Sequence, residues 1–269
     1  MKLLLVIFFG LEFGSFANVC IHRWPRGESI LRPARSHCPW CKHQISWVEN
    51  LPILSFIFLR AKCAHCGSAI SWRYPAVEFS LPLVWVAGAW SLAANSVPAS
   101  LPLFFCLGTF LFVLLVSSLS DVDWRIIPDE ATFSLMAVGL VCSPWNPFLE
   151  THGVLHALLA SIFGILAGGF PVWLIGFLGE IIVGREAMGG GDVKLMAGIG
   201  AVLGWKSVIG VLVLGSFTGA IAVGIGLAVR VLNRRQYIPF GPFLSIAAFA
   251  EFLFRCRGFS VCDIFKKIP

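Results

Sequence analysis

Long apolar runs alternate with short polar stretches along the whole chain. About 20 mostly apolar residues make one membrane crossing, and by that measure the first run covers 2–20. A polar segment, 21–75, follows and holds most of the tryptophan, proline and cysteine punctuation. Runs at about 76–94 and 101–120 come next, parted by the turn-forming Asn95-Ser96-Val97-Pro98-Ala99-Ser100. A run at about 131–145 ends in Pro144-Trp145-Asn146-Pro147, and a glycine-rich one covers 153–179. After a charged loop, 180–192, a short run occupies 193–205, and two more cover 207–229 and 238–254. The pattern predicts an all-α polytopic membrane protein of about eight transmembrane helices. The sixth is short for a full crossing and reads as a tilted helix or a re-entrant piece. Three parts are expected: a first transmembrane helix (1–20), a loop domain (21–75) and a transmembrane core (76–269).

Composition agrees. The 269 residues are 58% hydrophobic and 13% charged, with a mean hydropathy of +0.86, against roughly 45–50% and 25% in soluble domains. The net charge of +6 could suggest a nucleic-acid partner, but the cations cluster in particular loops and no nucleic-acid module is present. The opening run lacks a small-x-small cleavage site and reads as a retained first span. If 21–75 is cytoplasmic, 14 of the 20 Lys and Arg fall inside: eight in that loop, with Arg125, Arg185, Lys194, Arg230, Arg234 and Arg235. Lys2, Lys206, Arg255, Arg257, Lys266 and Lys267 are left outside. That bias places both termini outside.

Four of the nine cysteines form two knuckles, Cys38-Pro-Trp-Cys41 and Cys63-Ala-His-Cys66, 21 residues apart. Four thiolates at this spacing suit a tetrahedral structural zinc site. Two disulfides or a redox pair are the alternatives. A reducing cytoplasm opposes disulfides, and no βαβ pattern accompanies the motif. The segment has too few apolar residues to fold unaided, so a metal would supply the missing stability. His37, His43 and His65 could replace a thiolate, but the cysteines already complete the set. Cys20, Cys106, Cys142, Cys256 and Cys262 read as small buried hydrophobes.

Two acids stand where lipid should exclude them. Asp121 closes the run 101–119, and Asp192 ends Met188-Gly189-Gly190-Gly191-Asp192. A carboxylate near the bilayer core costs several kcal/mol unless paired, protonated or wetted, so both are functional candidates. Asp121 also sits at a helix C-terminus, where it opposes the macrodipole. Asp123 is its rival. Asp129 follows Pro128 and reads mainly as a complement to the next helix's N-terminus. The three glycines permit unusual dihedrals and close backbone approach; a flexible hinge with Asp192 as N-cap is the plainer reading. The phosphate-binding P-loop spacing is absent. The predicted topology puts Asp121 and Asp192 on one side at similar depth.

With these motifs in order, the chain resembles the type IV prepilin peptidases, GxGD-type aspartic proteases of the bacterial inner membrane that are commonly also N-methyltransferases. The resemblance rests on Gly14-Ser15-Phe16-x-Asn18-Val19, Arg35-Ser36-His37-Cys38-Pro39, the paired Cys-x-x-Cys loop and Trp47-x-Glu49-Asn50-x-Pro52. It continues through Ile70-Ser71-x-Arg73-Tyr74-Pro75-x-Val77-Glu78, Asp121 with Ile127-Pro128-Asp129, and Gly190-Gly191-Asp192-Val193-Lys194. It runs from about residue 10 to 205. The variable position of the GxGD pattern is Gly190, which makes this loop glycine-only. The resemblance implies that Asp121 and Asp192 are the catalytic pair and that the substrates are prepilins or pseudopilins. These carry a basic leader cleaved ahead of a hydrophobic helix, and the new N-terminus is methylated from S-adenosylmethionine. The zinc loop is the expected platform for that transfer, but no glycine-rich fingerprint locates the donor. Two close carboxylates share a proton near neutral pH, which suits water attack on a peptide at the cytoplasmic face. Competing readings are a peptidase without methyl transfer, an ion- or proton-coupled transporter, and a zinc-stapled scaffold. The particular substrate and the oligomeric state stay open.

Overall fold

A computed structural model describes residues 2–33, 35–97, 100–184, 188–230 and 238–261. Arg185, Arg234, Arg235, Lys266 and Lys267 of the charge-bias argument lie outside these residues, as does Cys262. Among the described residues the protein is helical, with nine α-helices and, for β-structure, two isolated bridges. The chain divides into two compact units, Met1–Trp90 and Ser91–Pro269.

The first unit contains α1 (Lys2–Arg23), the short α2 (Leu54–Phe58) and most of α3 (Arg73–Ala94). Gly10 and Gly14, one turn apart on α1, let the backbone of α3 come close. A Cβ on Gly10 would stand 2.7 Å from Pro82 Cα, and one on Gly14 2.8 Å from Glu78 Cα. Small residues at this spacing are how helices pack where lipid offers no hydrophobic driving force. A turn further on, Asn18 donates to the Tyr74 carbonyl at 3.1 Å. Glu78 accepts the Ile53 amide at 2.8 Å, tying the polar segment to α3. Between Arg23 and Arg73, Cys38 and Phe56 are the buried hydrophobic residues among those described. That is far too little to hold the segment folded.

The second unit contains α4 (Leu101–Trp124), α5 (Asp129–Cys142), α6 (Val154–Val183), α7 (Gly190–Leu203), α8 (Trp205–Ala228) and α9 (Gly241–Cys256). Helix α7 lies at its centre, packed by α5, α6 and α8, and every residue from Leu195 to Leu203 is buried. Gly164 and Gly168 of α6 face the backbone of α7 at Gly200 and Met196 with no room for a side chain between. With 14 residues, α7 is about 21 Å long, short of a hydrocarbon core of about 30 Å. Such a helix is tolerated because protein, not lipid, surrounds it. The outer faces, as on α6 with Leu159, Ile162, Leu166 and Phe170, stay apolar and exposed.

Five helices have the length and apolarity for a full crossing: Leu3–Arg26, Arg73–Ala94, Leu101–Trp124, Val154–Ile182 and Trp205–Ala228. The other three expected crossings correspond to α5, α7 and α9, with 14, 14 and 16 residues. At one end of the second unit Glu150 holds Lys206 and Arg255, both at 2.6 Å. Near that end Glu251, fully buried on α9, accepts from the Ser260 hydroxyl at 2.6 Å and the Val261 amide at 3.1 Å. The opposite end carries the candidate acids.

Candidate active site and metal centre

Helix α4 ends because Arg125 takes a left-handed conformation (φ 56°) and returns its amide to the Asp121 carbonyl at 2.9 Å. Pro128, extended at ψ 134°, then opens α5 at Asp129. This turn sends Ile127 inward and leaves Asp123 and Glu130 exposed. Asp121, in the last turn of α4, is 3% exposed, and its Oδ2 accepts the Gly241 amide at 2.8 Å. That donor is the first residue of α9.

Asp192 is the third residue of α7 and 5% exposed. It stands close enough to Asp121 for the charge of one carboxylate to act on the other. Its Oδ1 finds no hydrogen-bond partner in the protein. An orphaned buried acceptor of this kind calls for a functional account. Asp192 does not cap α7; Gly189 holds that position, with an ordinary φ of −71°. None of the three glycines has a positive φ, so unusual dihedrals are not their use. Close approach is: a Cβ on Gly191 would lie 2.8 Å from the Ile127 Cβ.

Asp129 opens α5, as its place after Pro128 suggested, and it has a partner that sequence reading missed. Lys194 donates to both its oxygens, at 2.7 and 2.8 Å, and lies 5.6 Å over the Phe133 ring. The pair ties the N-termini of α5 and α7 beside the two buried acids. The spacing of Lys194, two residues after Asp192, was visible, but its partner 65 positions away was not.

In the first unit the two knuckles repeat one hydrogen-bond pattern. Cys38 donates its amide to the His43 carbonyl, and Cys63 donates to that of Ser68. Each turn closes through a left-handed residue four positions on, Lys42 and Gly67. The sulfurs of Cys38, Cys41, Cys63 and Cys66 lie within 4.8 Å of one another. Cys38 and Cys66 are 3.9 Å apart, whereas a disulfide needs about 2.05 Å. Four sulfurs placed tetrahedrally at about 2.3 Å from a zinc ion stand roughly 3.8 Å apart. The donor set therefore fits one tetrahedral metal ion. Amides of Cys41 and Trp40 pull the Cys38 thiol down to about 6, and the Ser68 hydroxyl and amide lower Cys66. Both effects favour the thiolate that a metal needs, whereas Cys41, against the pull of the His43 amide, is pushed up to about 11 by burial and the neighbouring sulfurs. The His43 and His65 rings stack at 4.7 Å, outside the four-sulfur set. Cys20, Cys106, Cys142 and Cys256 are buried, as expected of small hydrophobes.

Residues 8–92 match the family model described as bacterial peptidase A24 N-terminal domain, and residues 108–224 match the type IV leader peptidase family. A protein of Aeromonas hydrophila named prepilin leader peptidase/N-methyltransferase is 36% identical, over 93% of this chain and 89% of its own length. Proteins of the same name from Pseudomonas aeruginosa (33%, covering 93% and 89%) and Stutzerimonas stutzeri (32%, covering 91% and 88%) are similar along nearly the whole chain. No solved structure matches.

Proposed function

Because the chain belongs to the type IV leader peptidase family, we propose that it cleaves the leader from prepilins or pseudopilins with Asp121 and Asp192 as its catalytic pair, and N-methylates the new N-terminus. The observation that carries the reading is the convergence of two buried acids from α4 and α7, one with an unpartnered oxygen. One carboxylate takes a proton from water as that water attacks the scissile carbonyl. The other donates to the carbonyl oxygen, and a proton then passes to the departing amine. The orphaned Oδ1 of Asp192 supplies an acceptor or, when protonated, a donor at the reacting centre.

The site is placed at the cytoplasmic face of the bacterial inner membrane, with the five long helices and α5, α7 and α9 making eight passes. The bias of arginine and lysine toward one set of loops supports that orientation. Residues 21–75 form the cytoplasmic domain, residues 1–20 the first span and 76–269 the peptidase core. Cys38, Cys41, Cys63 and Cys66 hold a structural zinc ion, which in place of a hydrophobic core would close the loop between the knuckles. S-adenosylmethionine is the methyl donor that the methyltransferase activity requires.

Co-expression with a prepilin, followed by intact mass of the product, tests the reading. Loss of the leader and a further methyl increment are expected as separate mass changes. Cleavage without the increment would leave a peptidase alone, and an intact prepilin would remove the activity altogether.

A further inference from the structure

The start of α9 carries a role that neither the motifs nor the pairing of acids assigns. Gly241 presses its backbone onto Asp121 so closely that a Cβ there would stand 2.8 Å from Oδ2 and 3.1 Å from the Asp121 Cβ. It would also stand 3.2 Å from Ile127 Cδ1. The same Ile127 is met by Gly191 of the Asp192 loop. Ile127 is thus a spacer between two side-chain-free backbones, one beside each acid. The Gly241 amide is the first of a 16-residue helix, so its donor is backed by the positive end of a macrodipole. That offsets the unfavourable place of Asp121 at the C-terminal end of α4.

We propose that Gly241 is a positioning residue of the dyad: its amide fixes Oδ2 of Asp121 as an anion's acceptor and leaves Oδ1 to work with Asp192. The proposal rests on the catalytic reading of Asp121 and Asp192. Any residue but proline would supply the N–H; glycine is needed because only a residue without a side chain lets that N–H reach the carboxylate. The charged groups around Asp121 are few. Helix α7 brings Asp192, and the Lys194 that neutralises Asp129 of α5. Helix α4 itself adds Asp123 and its C-cap adds Arg125, both exposed, and α5 adds exposed Glu130. Helix α9 adds no charge between Gly241 and Ala250. The donor is therefore the feature of α9 that an acid limb can report.

The decisive experiment removes the N–H without adding a side chain. The ester carbonyl it leaves at Phe240 also weakens the bonds accepted from the Phe243 and Leu244 amides, so the pH limb, which that packing change does not move, is the reading that counts. Cell-free synthesis with Gly241→glycolic acid replaces the amide by an ester in the full-length protein, assayed in lipid against a prepilin. The expected result is a kcat lower by roughly tenfold or more, with KM within about twofold, because a hydrogen bond to a charged group is lost. The acid limb of kcat/KM should move up by about one pH unit, since the donor favours the anion. Gly241→Ala keeps the N–H but drives the backbone off both Asp121 and Ile127, and should lose more. Gly219→Ala, at 3.5 Å from the Phe243 ring in ordinary contact, perturbs the α8–α9 packing and should stay within about twofold. An ester variant with unchanged kcat and limb overturns the proposal. So does a fall in kcat with the limb in place, which would report packing alone. Survival of cleavage in Asp121→Asn would instead remove the dyad on which the proposal stands.

Discussion

The second unit buries acids at two places, and they are treated in opposite ways. Glu251 has both oxygens engaged, by a hydroxyl and an amide, with Gly210 so close that a Cβ would lie 2.7 Å from Oε2. Asp192 has an oxygen with no partner, and its neighbour Asp121 repels it. One helix, α9, serves both places: it bears Glu251 and gives its first amide to Asp121. A buried carboxylate whose acceptors are all filled fastens elements together and has nothing left to offer a substrate. One left partly unfilled, beside a second acid, stores reactivity. Satisfaction of the oxygens, more than burial, separates structure from chemistry here.

The sharpest way to break this comparison is to neutralise each acid at nearly constant volume. Asp121→Asn or Asp192→Asn should lower cleavage by about a thousandfold or more, the scale of losing a general acid or base, with the protein still inserted. Methylation of an already cleaved substrate should survive both. Glu251→Gln should keep cleavage within a few-fold in the same assay. Lost cleavage in Glu251→Gln at unchanged thermal stability would show that a satisfied acid can also be catalytic.

The thiolates extend the contrast to a cluster whose satisfaction needs an ion. Metal analysis should give about one zinc per chain. Cys38→Ser or Cys63→Ser should loosen residues 21–75, seen as rapid amide exchange and early proteolysis there, with the second unit unmoved. Absence of metal together with two disulfides would cancel this prediction.

Smaller effects follow at the edge of the site. Asp129→Asn weakens the clasp on Lys194 and should cost only a few-fold in cleavage, on the scale of an exposed ion pair. Asp123→Asn should retain clear activity; if Asp123 proves essential and Asp121 dispensable, the acids within the first motif have been assigned the wrong way round. Glu251→Gln should lower stability by about 1–3 kcal/mol, the cost of a disturbed buried acceptor, read from thermal melting in detergent.

The smallest effect belongs to Glu150, a half-exposed acid whose pKa Lys206 and then Arg255 lower from the usual carboxylate value. Because its pKa is lowered on folding, its contribution is present at neutral pH. It is lost as pH falls through the lowered value. Glu150→Gln should flatten that part of the melting profile against pH and leave cleavage unchanged.

Much of this was legible in the chain. Apolar run lengths located every long helix, and acids at the rims of apolar runs pointed to Asp121 and Asp192 because burial makes an isolated carboxylate so unfavourable. The cysteine spacing located the four sulfurs. Other features depend on contacts between distant segments. Gly241 looked like the start of one more span, and its only local hint was a glycine followed by Pro242 at a helix start. Glu251 is an acid inside an apolar run, the same signal that singled out Asp121, yet nothing near it in sequence foretells Ser207, Gly210 and Val261 closing around it. Periodicity does not show whether lipid or protein covers a helix, so the burial of α7 by its neighbours was not readable from its run.

Seen kinematically, the glycine contacts between α6 and α7 divide the dyad into a fixed half and an adjustable half. With Gly164 and Gly168 against the backbone at Gly200 and Met196, α7 can neither roll nor tilt against α6 without backbone collision. Asp192 is in effect bolted to its surroundings. On the other side Asp121 is held by one amide at the tip of α9 and by a turn that Ile127 wedges in place. The two acids thus differ in how they are mounted: one on a helix clasped along its backbone, the other on a helix end held at single points.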